Sequence, residues 1–481
     1  MGGILSDLTK AFSEHVLAVT PASLTAADHE QVARLLFDAA GCGYGGARQQ
    51  TVMALHKWAR AHAGSGKSGI VAGGFRIPAT TAALVNGTAT HSYELDDTHD
   101  RSMSHPASVI IPAALAVAAE VGCRGDEFIA AVIAGYEAMT RIGVAANASH
   151  VIEFGFHPTA LFGGFGAAAA AAKLRRLDGE RLRCAWGHAL SMASGSMQFS
   201  DESTGTAVKR VHAGYAAQQG VLAVELALAG VEAPQRSLDG KYGFFAIYGR
   251  DPKPELLLAN PERRAIHEIS FKPYACCRQF HSMIDGLRDI TDEFGKSSSI
   301  SSITVRGPRV LADQHMSRRP ASPMAAQYSL PFVVGATIEF GPARYDAFAS
   351  SNLQNPSILR WADLVEVEFD RDLQEQYPAH FGTEVEVGFK DGSKRTERIL
   401  DSRGTPALPF SWNGLHVKAA SLTAGSAIPL DLDRLEQVVR HLWEAPEISE
   451  FEGLWAGTSP ESRRSGAHQS AGETSASIAR L

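Results

Sequence analysis

The sequence runs Gly163-Gly164-Phe165-Gly166-Ala167 and continues as alanine up to Ala172. Alanine is the best helix former and glycine carries no side chain, so this stretch predicts a helix with almost no side chain on any face. Such a helix can approach its neighbours closely, as helices do inside a tightly packed bundle. The stretch therefore indicates a mainly α fold.

The same helical character extends outward over the N-terminal half of the chain. From about residue 7 to residue 249, alanine-rich helical patterns follow one another, broken by glycine or proline, without sustained strand alternation. The most apolar segment, residues 106–121, is shorter than a membrane span and contains Pro112, which favours a buried helix. We therefore expect an all-helical first part and no membrane segment.

The pattern becomes mixed after residue 270. Alternation typical of strands occurs at 300–306, 365–369 and 384–389, and helical patterns occur at 279–294, 324–339 and 431–443. The last residues are rich in Ser, Gly, Glu, Arg and Ala, with little to bury. The predicted domains are a helical part over 1–269, a smaller inserted α+β domain over 270–402, a helical return segment over 403–456 and a disordered tail over 457–481.

Composition excludes several classes of partner. The 481 residues carry a net charge of -7, and nucleic-acid binding calls for a broad basic field instead. The five cysteines are scattered apart from the adjacent pair Cys276 and Cys277, without CxxC spacing or a secretory signal, which indicates a reducing compartment. We therefore expect a cytoplasmic protein that acts on a small molecule, with no nucleic acid and no membrane.

The densest polar cluster lies between two helical patterns, at residues 91–108. It contains three histidines and four acids, among them Glu94, Thr98 and His105. The competing explanation is a loop whose aspartates cap a helix. The usual HxxxH, HExxH and CxxC metal spacings are absent, so the prediction is a site without a metal.

Three further clusters carry histidine or cationic side chains. His157 precedes Pro158 at the predicted start of the glycine and alanine helix, where free N–H groups favour an anion. Lys209 begins another helical run, where its positive charge opposes the helix dipole. A substrate carboxylate would explain why a cation is present there. Lys272, Arg278 and His281 fall at the junction of the helical and mixed regions, where clefts form. The alternatives are a structural histidine, a solvated first turn and an interdomain ion pair.

Together these four ordered clusters resemble the MmgE/PrpD family, over most of the chain and with a weaker match around Tyr328. The resemblance implies a large helical domain built from both chain ends, an inserted α+β domain, a homodimer and no cofactor. It implies catalytic roles for His105, His157, Lys209 and Lys272. It implies substrate binding by Glu94, Thr98, Arg278, His281 and Tyr328, although several members have Asp where this chain has Glu94.

The reactions implied by the resemblance share one chemical difficulty, which is charge at a carbon next to a carboxylate. We expect the lysines to hold carboxylates, and the histidines, which titrate near neutrality, to move protons. The same groups serve dehydration of 2-methylcitrate, decarboxylation of cis-aconitate or epimerisation of iminodisuccinate, so a lyase is the first expectation and an epimerase the alternative. A non-catalytic polycarboxylate-binding dimeric scaffold is the alternative of another class.

Overall fold

The glycine and alanine stretch forms a buried helix, Pro158–Leu174, in the computed structural model. A Cβ atom added to Gly163 would lie 2.7 Å from the Cβ of Ala216, and one added to Gly166 would lie 2.7 Å from the Cβ of Met139. Neighbouring helices therefore approach this helix so closely that only glycine fits at both positions, as the sequence indicates.

The structure describes residues 7–201, 206–294, 300–314 and 316–458. All but the first two residues of the predicted disordered tail lie outside the described residues. The first helices are α1 Leu8–Leu17, α2 Ala26–Ala47, α3 Gln50–His62, α4 Ala79–Thr90, α5 Ala107–Val121, α6 Gly125–Ala145, α7 Ala148–Glu153, α8 Pro158–Leu174, α9 Gly179–Met192, α10 Gln198–Asp201, α11 Val208–Leu228 and α12 Phe244–Ile247. The later helices are α13 His281–Phe294, α14 Arg309–Gln314, α15 Pro323–Gln327, α16 Leu330–Phe340, α17 Pro356–Ala362, α18 Arg371–Gln376, α19 Trp412–Thr423, α20 Leu432–Arg440 and α21 Ser449–Ala456.

Strands are few, and the prediction of a mainly α fold is confirmed. They are β1 Ser68–Gly69, β2 Arg76–Ile77, β3 Thr98–His99, β4 Ile269–Ser270, β5 Ile300–Gly307, β6 Val365–Phe369, β7 Thr383–Phe389 and β8 Lys394–Ile399. The larger sheet has the order β6-β5-β7-β8, with β5 parallel to β6 and the other pairs antiparallel. Two short antiparallel pairs, β1 with β2 and β3 with β4, interrupt the region expected to be wholly helical.

Buried side chains form two clusters. The larger includes α8 and its neighbours in the first half of the chain and also the later residues Leu415, Leu435, Phe451 and Trp455. The smaller is built mainly from residues 274–387, around α13, α16 and the larger sheet. The later helices thus pack onto the first half of the chain, whereas the exact domain bounds stay predictions.

Two local expectations differ from the structure. The predicted helix over 324–339 is divided into α15 and α16, because Ser329 caps the second helix and Pro331 occupies its first turn. Strand β8 has no counterpart in the sequence prediction, because Lys394 to Arg398 are all exposed and polar and therefore show no alternation.

One described helix, α6, is long and apolar enough to cross a membrane by length and composition alone. Its most apolar window is 94% buried within the protein. The helix packs against α8, and Gly135 on α6 faces Gly166 on α8. Its apolar character is accounted for by its place in the bundle core.

Candidate active site

A cavity of about 470 Å³ lies where the two hydrophobic clusters meet. Its lining comes from the loop after α4, the start of α8, the start of α11 and several segments after residue 276. The polar lining residues that matter below are Glu94, Thr98, Asp100, His105, His157, Lys209, Arg278, Arg309 and Tyr328. Clefts between structural units are a common location for small-molecule sites.

Pairing of two short strands brings the loop after α4 to this junction. Thr98 on β3 is opposite Ser270 on β4, and Lys272 follows two residues later. The Thr98 hydroxyl donates to Asp100 at 2.9 Å, and Arg278 donates to the other oxygen of Asp100 at 2.9 Å. A small hydrogen-bonded network therefore joins the polar cluster at residues 91–108 to the cluster that contains Lys272 and Arg278.

Glu94 is the centre of the cationic groups. Lys209 and Arg210 both donate to its Oε1, while Lys272 at 3.3 Å and the Tyr328 hydroxyl at 3.2 Å lie on its Oε2. The residue is 1% exposed and has a left-handed backbone with φ of 57°, an uncommon conformation for a non-glycine residue. Its surroundings hold this backbone in place.

The ionisation of Glu94 follows from these contacts. Burial by itself would raise the pKa of the carboxyl group, but Lys209, Arg210 and Lys272 outweigh it and hold that pKa well below its usual value. Burial lowers the pKa of Lys209 to about 8, against the opposing effect of Glu94. Lys209 is therefore a cation whose charge is lost in the mildly alkaline range.

The two lysines expected to bind substrate carboxylates both contact Glu94. Lys209 also reaches the cavity, whereas Lys272 is fully buried and is connected to it through Glu94. His281 is also fully buried, and its ring packs against Tyr274 with centroids 5.2 Å apart, away from the cavity lining. The structure thus does not bring Lys272 or His281 to the cavity surface.

His105 and His157, the histidines predicted to move protons, both line the cavity. Burial lowers the pKa of each ring well below its usual value, and Lys209 acts in the same direction on both. Both imidazoles are therefore neutral at pH 7. A neutral ring presents one N–H donor and one nitrogen acceptor.

Two further histidines extend this pair into a row. His91 lies between them, with ring centroids 4.7 Å from His105 and 6.1 Å from His157, and His212 follows at 5.2 Å from His157. Nδ1 of His91 is 2.8 Å from Asp96 Oδ2. The four rings come from three separate segments, residues 91–108, the start of α8 and the start of α11, so only the fold brings them together.

His91, Asp96 and His105 could also hold a metal ion. One candidate ligand atom from each lies within 4.8 Å of the others, and two imidazoles with a carboxylate are a ligand set of catalytic zinc sites. The sequence spacing did not reveal this group, because His105 is fourteen positions after His91 and approaches it only in the fold. The expectation of a metal-free site stays a prediction.

Asp97 fastens the loop to the bundle. Its carboxyl group accepts from the backbone N–H of Ala107 and the hydroxyl of Tyr136, both at 2.8 Å, and its carbonyl oxygen is 3.0 Å from His105 Nδ1. Burial raises the pKa of this carboxyl group to about 8. Asp97 is therefore largely protonated at neutral pH and positions His105.

Sequence reasoning did not assign a role to several residues at the site. Arg210 and His212 are close to Lys209 in the sequence, and His91 and Asp96 lie in the polar cluster at residues 91–108, but the sequence assigned a role to none of the four. Arg309 lines the cavity and was not recognised, because nothing in its local sequence distinguishes it from a surface arginine. The direction of a side chain, which the sequence does not reveal, separates these residues from their neighbours.

Comparison with known proteins agrees with this organisation. Residues 10–257 match the MmgE/PrpD N-terminal domain, and residues 274–444 match the MmgE/PrpD C-terminal domain. The chain is 26% identical to cis-aconitate decarboxylase of Homo sapiens over 476 residues, which covers 95% of this chain and 96% of the relative. It is 27% identical to cis-aconitate decarboxylase of Aspergillus terreus over 442 residues, which covers 85% and 90% respectively. The resemblance drawn from the four clusters is thus confirmed, and because both domains match in order over most of the chain, the protein belongs to the MmgE/PrpD family.

Proposed function

We propose that the protein is a lyase that removes CO2 from a small unsaturated tricarboxylate of the cis-aconitate type. The observation that carries the proposal is one cavity in which a buried cationic cluster adjoins two neutral histidines. The names of the relatives, each a cis-aconitate decarboxylase, support the choice of decarboxylation.

The charge balance of the cluster favours an anionic substrate. Lys209, Arg210 and Lys272 surround the single carboxylate of Glu94, which leaves a surplus of positive charge in a buried place. Unbalanced buried charge is costly, and a substrate carboxylate on the cavity side of Lys209 would offset that cost. Arg278 and Arg309, which also line the cavity, are further partners for a substrate with several carboxylates.

The proposed reaction moves one electron pair and one proton. The bond between a CH2 carbon and its carboxylate breaks, CO2 leaves, and the pair shifts through the adjacent double bond. Negative charge therefore develops on the carbon next to another carboxylate, and this carbon receives the proton. Lys209 stabilises this charge, and loss of one such group typically raises the barrier by about 3 kcal/mol. His157 or His105 supplies the proton.

Dehydration and epimerisation use the same groups and are distinguished by substrate. A dehydratase would release water from 2-methylcitrate or citrate, and an epimerase would invert iminodisuccinate without gas release. A polycarboxylate-binding scaffold would bind these compounds without turnover. The three reactions give different products, and the scaffold gives none.

The test is incubation of the purified protein with cis-aconitate, 2-methylcitrate, citrate and iminodisuccinate. Release of CO2 and a new alkene from cis-aconitate supports the proposal. Binding of cis-aconitate without turnover, or turnover of another compound alone, would contradict it. Lys209→Met should reduce kcat at least about a hundredfold. The exposed Lys241, which stacks on Tyr242, offers the matched control Lys241→Met.

We also propose that the protein is a cytoplasmic homodimer that needs no cofactor. This rests on the family resemblance and on the cysteine pattern. Light scattering of the purified protein tests the dimer, since a monomeric mass at micromolar concentration would contradict it.

A further inference from the structure

The His157 and His212 side chains face each other through the same kind of ring nitrogen. Nδ1 of His157 lies 3.1 Å from Nδ1 of His212, and the pair is buried. The ring of Phe199 packs edge-on against both imidazoles, with centroids 5.6 and 5.7 Å away. The packing around the pair keeps the two nitrogens in contact.

This contact requires opposite tautomers. A hydrogen bond between two Nδ1 atoms needs a proton on one of them and a lone pair on the other. With the proton on His212 Nδ1, the proton of neutral His157 is on Nε2 and its Nδ1 is the acceptor. His157 can then donate its Nε2 proton, and its Nδ1 can accept the proton of His212.

The pair also separates two cavities. His157 lines the cavity that contains Glu94 and Lys209. His212 lines a second cavity of about 260 Å³, together with Ser194, Ser196 and Gln219. Tyr215, another lining residue of the second cavity, is 44% exposed, which places this cavity at the protein surface.

We propose that His212 is a positioning residue that relays a proton from the second cavity to His157 during turnover. The proposal rests on the proposed function, since it supplies the proton that decarboxylation consumes. As the Nε2 proton of His157 moves to the substrate carbon, the Nδ1 proton of His212 moves to His157 Nδ1. Nε2 of His212 takes a proton from water in the second cavity. One proton passes from solution to carbon, and both rings remain neutral.

After product release the rings return to their first tautomers by the opposite movement. Water in the emptied main cavity protonates Nε2 of His157, the Nδ1 proton returns to His212, and His212 releases its Nε2 proton to the second cavity. No oxidant, reductant or further reactant is needed. The cycle therefore restores the pair without a charged imidazole.

The charges around the pair explain why the relay is needed. Burial lowers the pKa of His157 well below its usual value, and Lys209, His212, His91 and His105 add to the effect. Burial, with His91 and Lys209, lowers the pKa of His212 to about 4. A neutral imidazole cannot give up its only proton unaided, so His157 needs a second proton delivered as the first one leaves.

The test compares two substitutions of His212 in the full-length protein over pH 6 to 8. His212→Phe keeps a ring against Phe199 but cannot carry a proton, and His212→Ala leaves space for added imidazole. Without the relay, His157 must donate as a cation, so kcat should fall about tenfold or more and the loss should grow as the pH rises. Added imidazole should restore His212→Ala but not His212→Phe. The control is His188→Ala, because the imidazole of His188 contacts the Val231 carbonyl oxygen and lines neither of the two cavities.

The opposite results overturn the relay. They are a wild-type kcat in either variant, or a loss that is equal at all pH values, which a purely structural role would produce. If His212→Ala does not fold, the pH profile of His212→Phe decides alone. Histidine ring 15N spectra of the wild type test the opposite tautomers without turnover. Equal tautomers would overturn the relay even if the enzyme is active, and opposite tautomers in an inactive protein would contradict the proposed function alone.

Discussion

Lys272 Nζ lies 3.3 Å from Glu94 Oε2, and this contact joins the segment after β4 to the loop after α4 inside the protein. Lys209 and Arg210 reach the other oxygen of the same carboxylate. One buried carboxylate therefore holds together side chains from three distant parts of the chain. Its replacement tests how far the carboxylate stabilises the site.

We expect Glu94→Gln to lower the free energy of unfolding by about 3 to 5 kcal/mol, because three buried cations lose their counter-charge. Urea unfolding near pH 7 measures the loss. The folded carboxyl has a pKa well below the ordinary 4.5, so the stabilisation is complete above pH 4.5 and is lost as the pH falls through the folded value. The exposed pair of Arg371 and Glu375 offers Glu375→Gln as control. Equal unfolding midpoints for the two variants would contradict the central role of Glu94.

Lys209 should set an alkaline limit to activity. Its pKa of about 8 means that its charge disappears as the pH rises from 7 to 9, so kcat/KM should decline with a midpoint near pH 8. Arginine keeps its charge in this range, so Lys209→Arg should be less active at pH 7 but should lack the decline. Initial rates over pH 6 to 10 measure both profiles. A wild-type rate that is constant up to pH 10 would contradict the role of the Lys209 charge in activity.

Asp97 should tolerate asparagine better than alanine. Because its pKa of about 8 keeps the carboxyl group largely protonated at pH 7, Asp97→Asn imitates the natural state, whereas Asp97→Ala leaves the Tyr136 hydroxyl and the Ala107 N–H without an acceptor. We expect a loss of about 1 to 3 kcal/mol or more for alanine. The raised pKa also means that the stability contributed by Asp97 declines as the pH rises from 3.8 to about 8, and Asp97→Asn should remove this decline. Thermal melts of both variants at several pH values measure these changes in stability. Equal losses for the two variants would contradict a protonated Asp97 at pH 7.

Metal analysis tests the histidine and aspartate group. We expect no stoichiometric metal by elemental analysis, and undiminished turnover after dialysis against a chelator. Stoichiometric zinc that is lost in His91→Ala would show that His91, Asp96 and His105 bind a metal, and would overturn the metal-free prediction.

Two glycines of α8 should respond differently to alanine. Gly166→Ala places a Cβ 2.6 Å from Ile110 Cδ1 and 2.8 Å from the Gly135 carbonyl oxygen, so we expect a loss of about 1 to 3 kcal/mol. Gly164 in the same helix has no atom closer than 3.8 Å, so alanine there should be neutral or stabilising by up to about 1 kcal/mol. Thermal unfolding of both variants gives the comparison, and similar melting temperatures would contradict the close approach of α6 to α8.

The sequence by itself determined the mainly α fold, the helical packing of α8, most strands of the larger sheet and the family. The fold and the secondary structure follow from composition and periodicity, which are local and therefore readable along the chain, whereas the family was indicated by the resemblance of the four polar clusters. The sequence also identified Glu94, Thr98, His105, His157, Lys209, Arg278 and Tyr328, which line one cavity. Only the tertiary structure decided that Lys272 and His281 are buried away from the cavity surface, that Arg309 reaches it, and that His91 and His212 extend the histidine row. Those outcomes depend on side-chain direction and on contacts between distant segments, which no local pattern records.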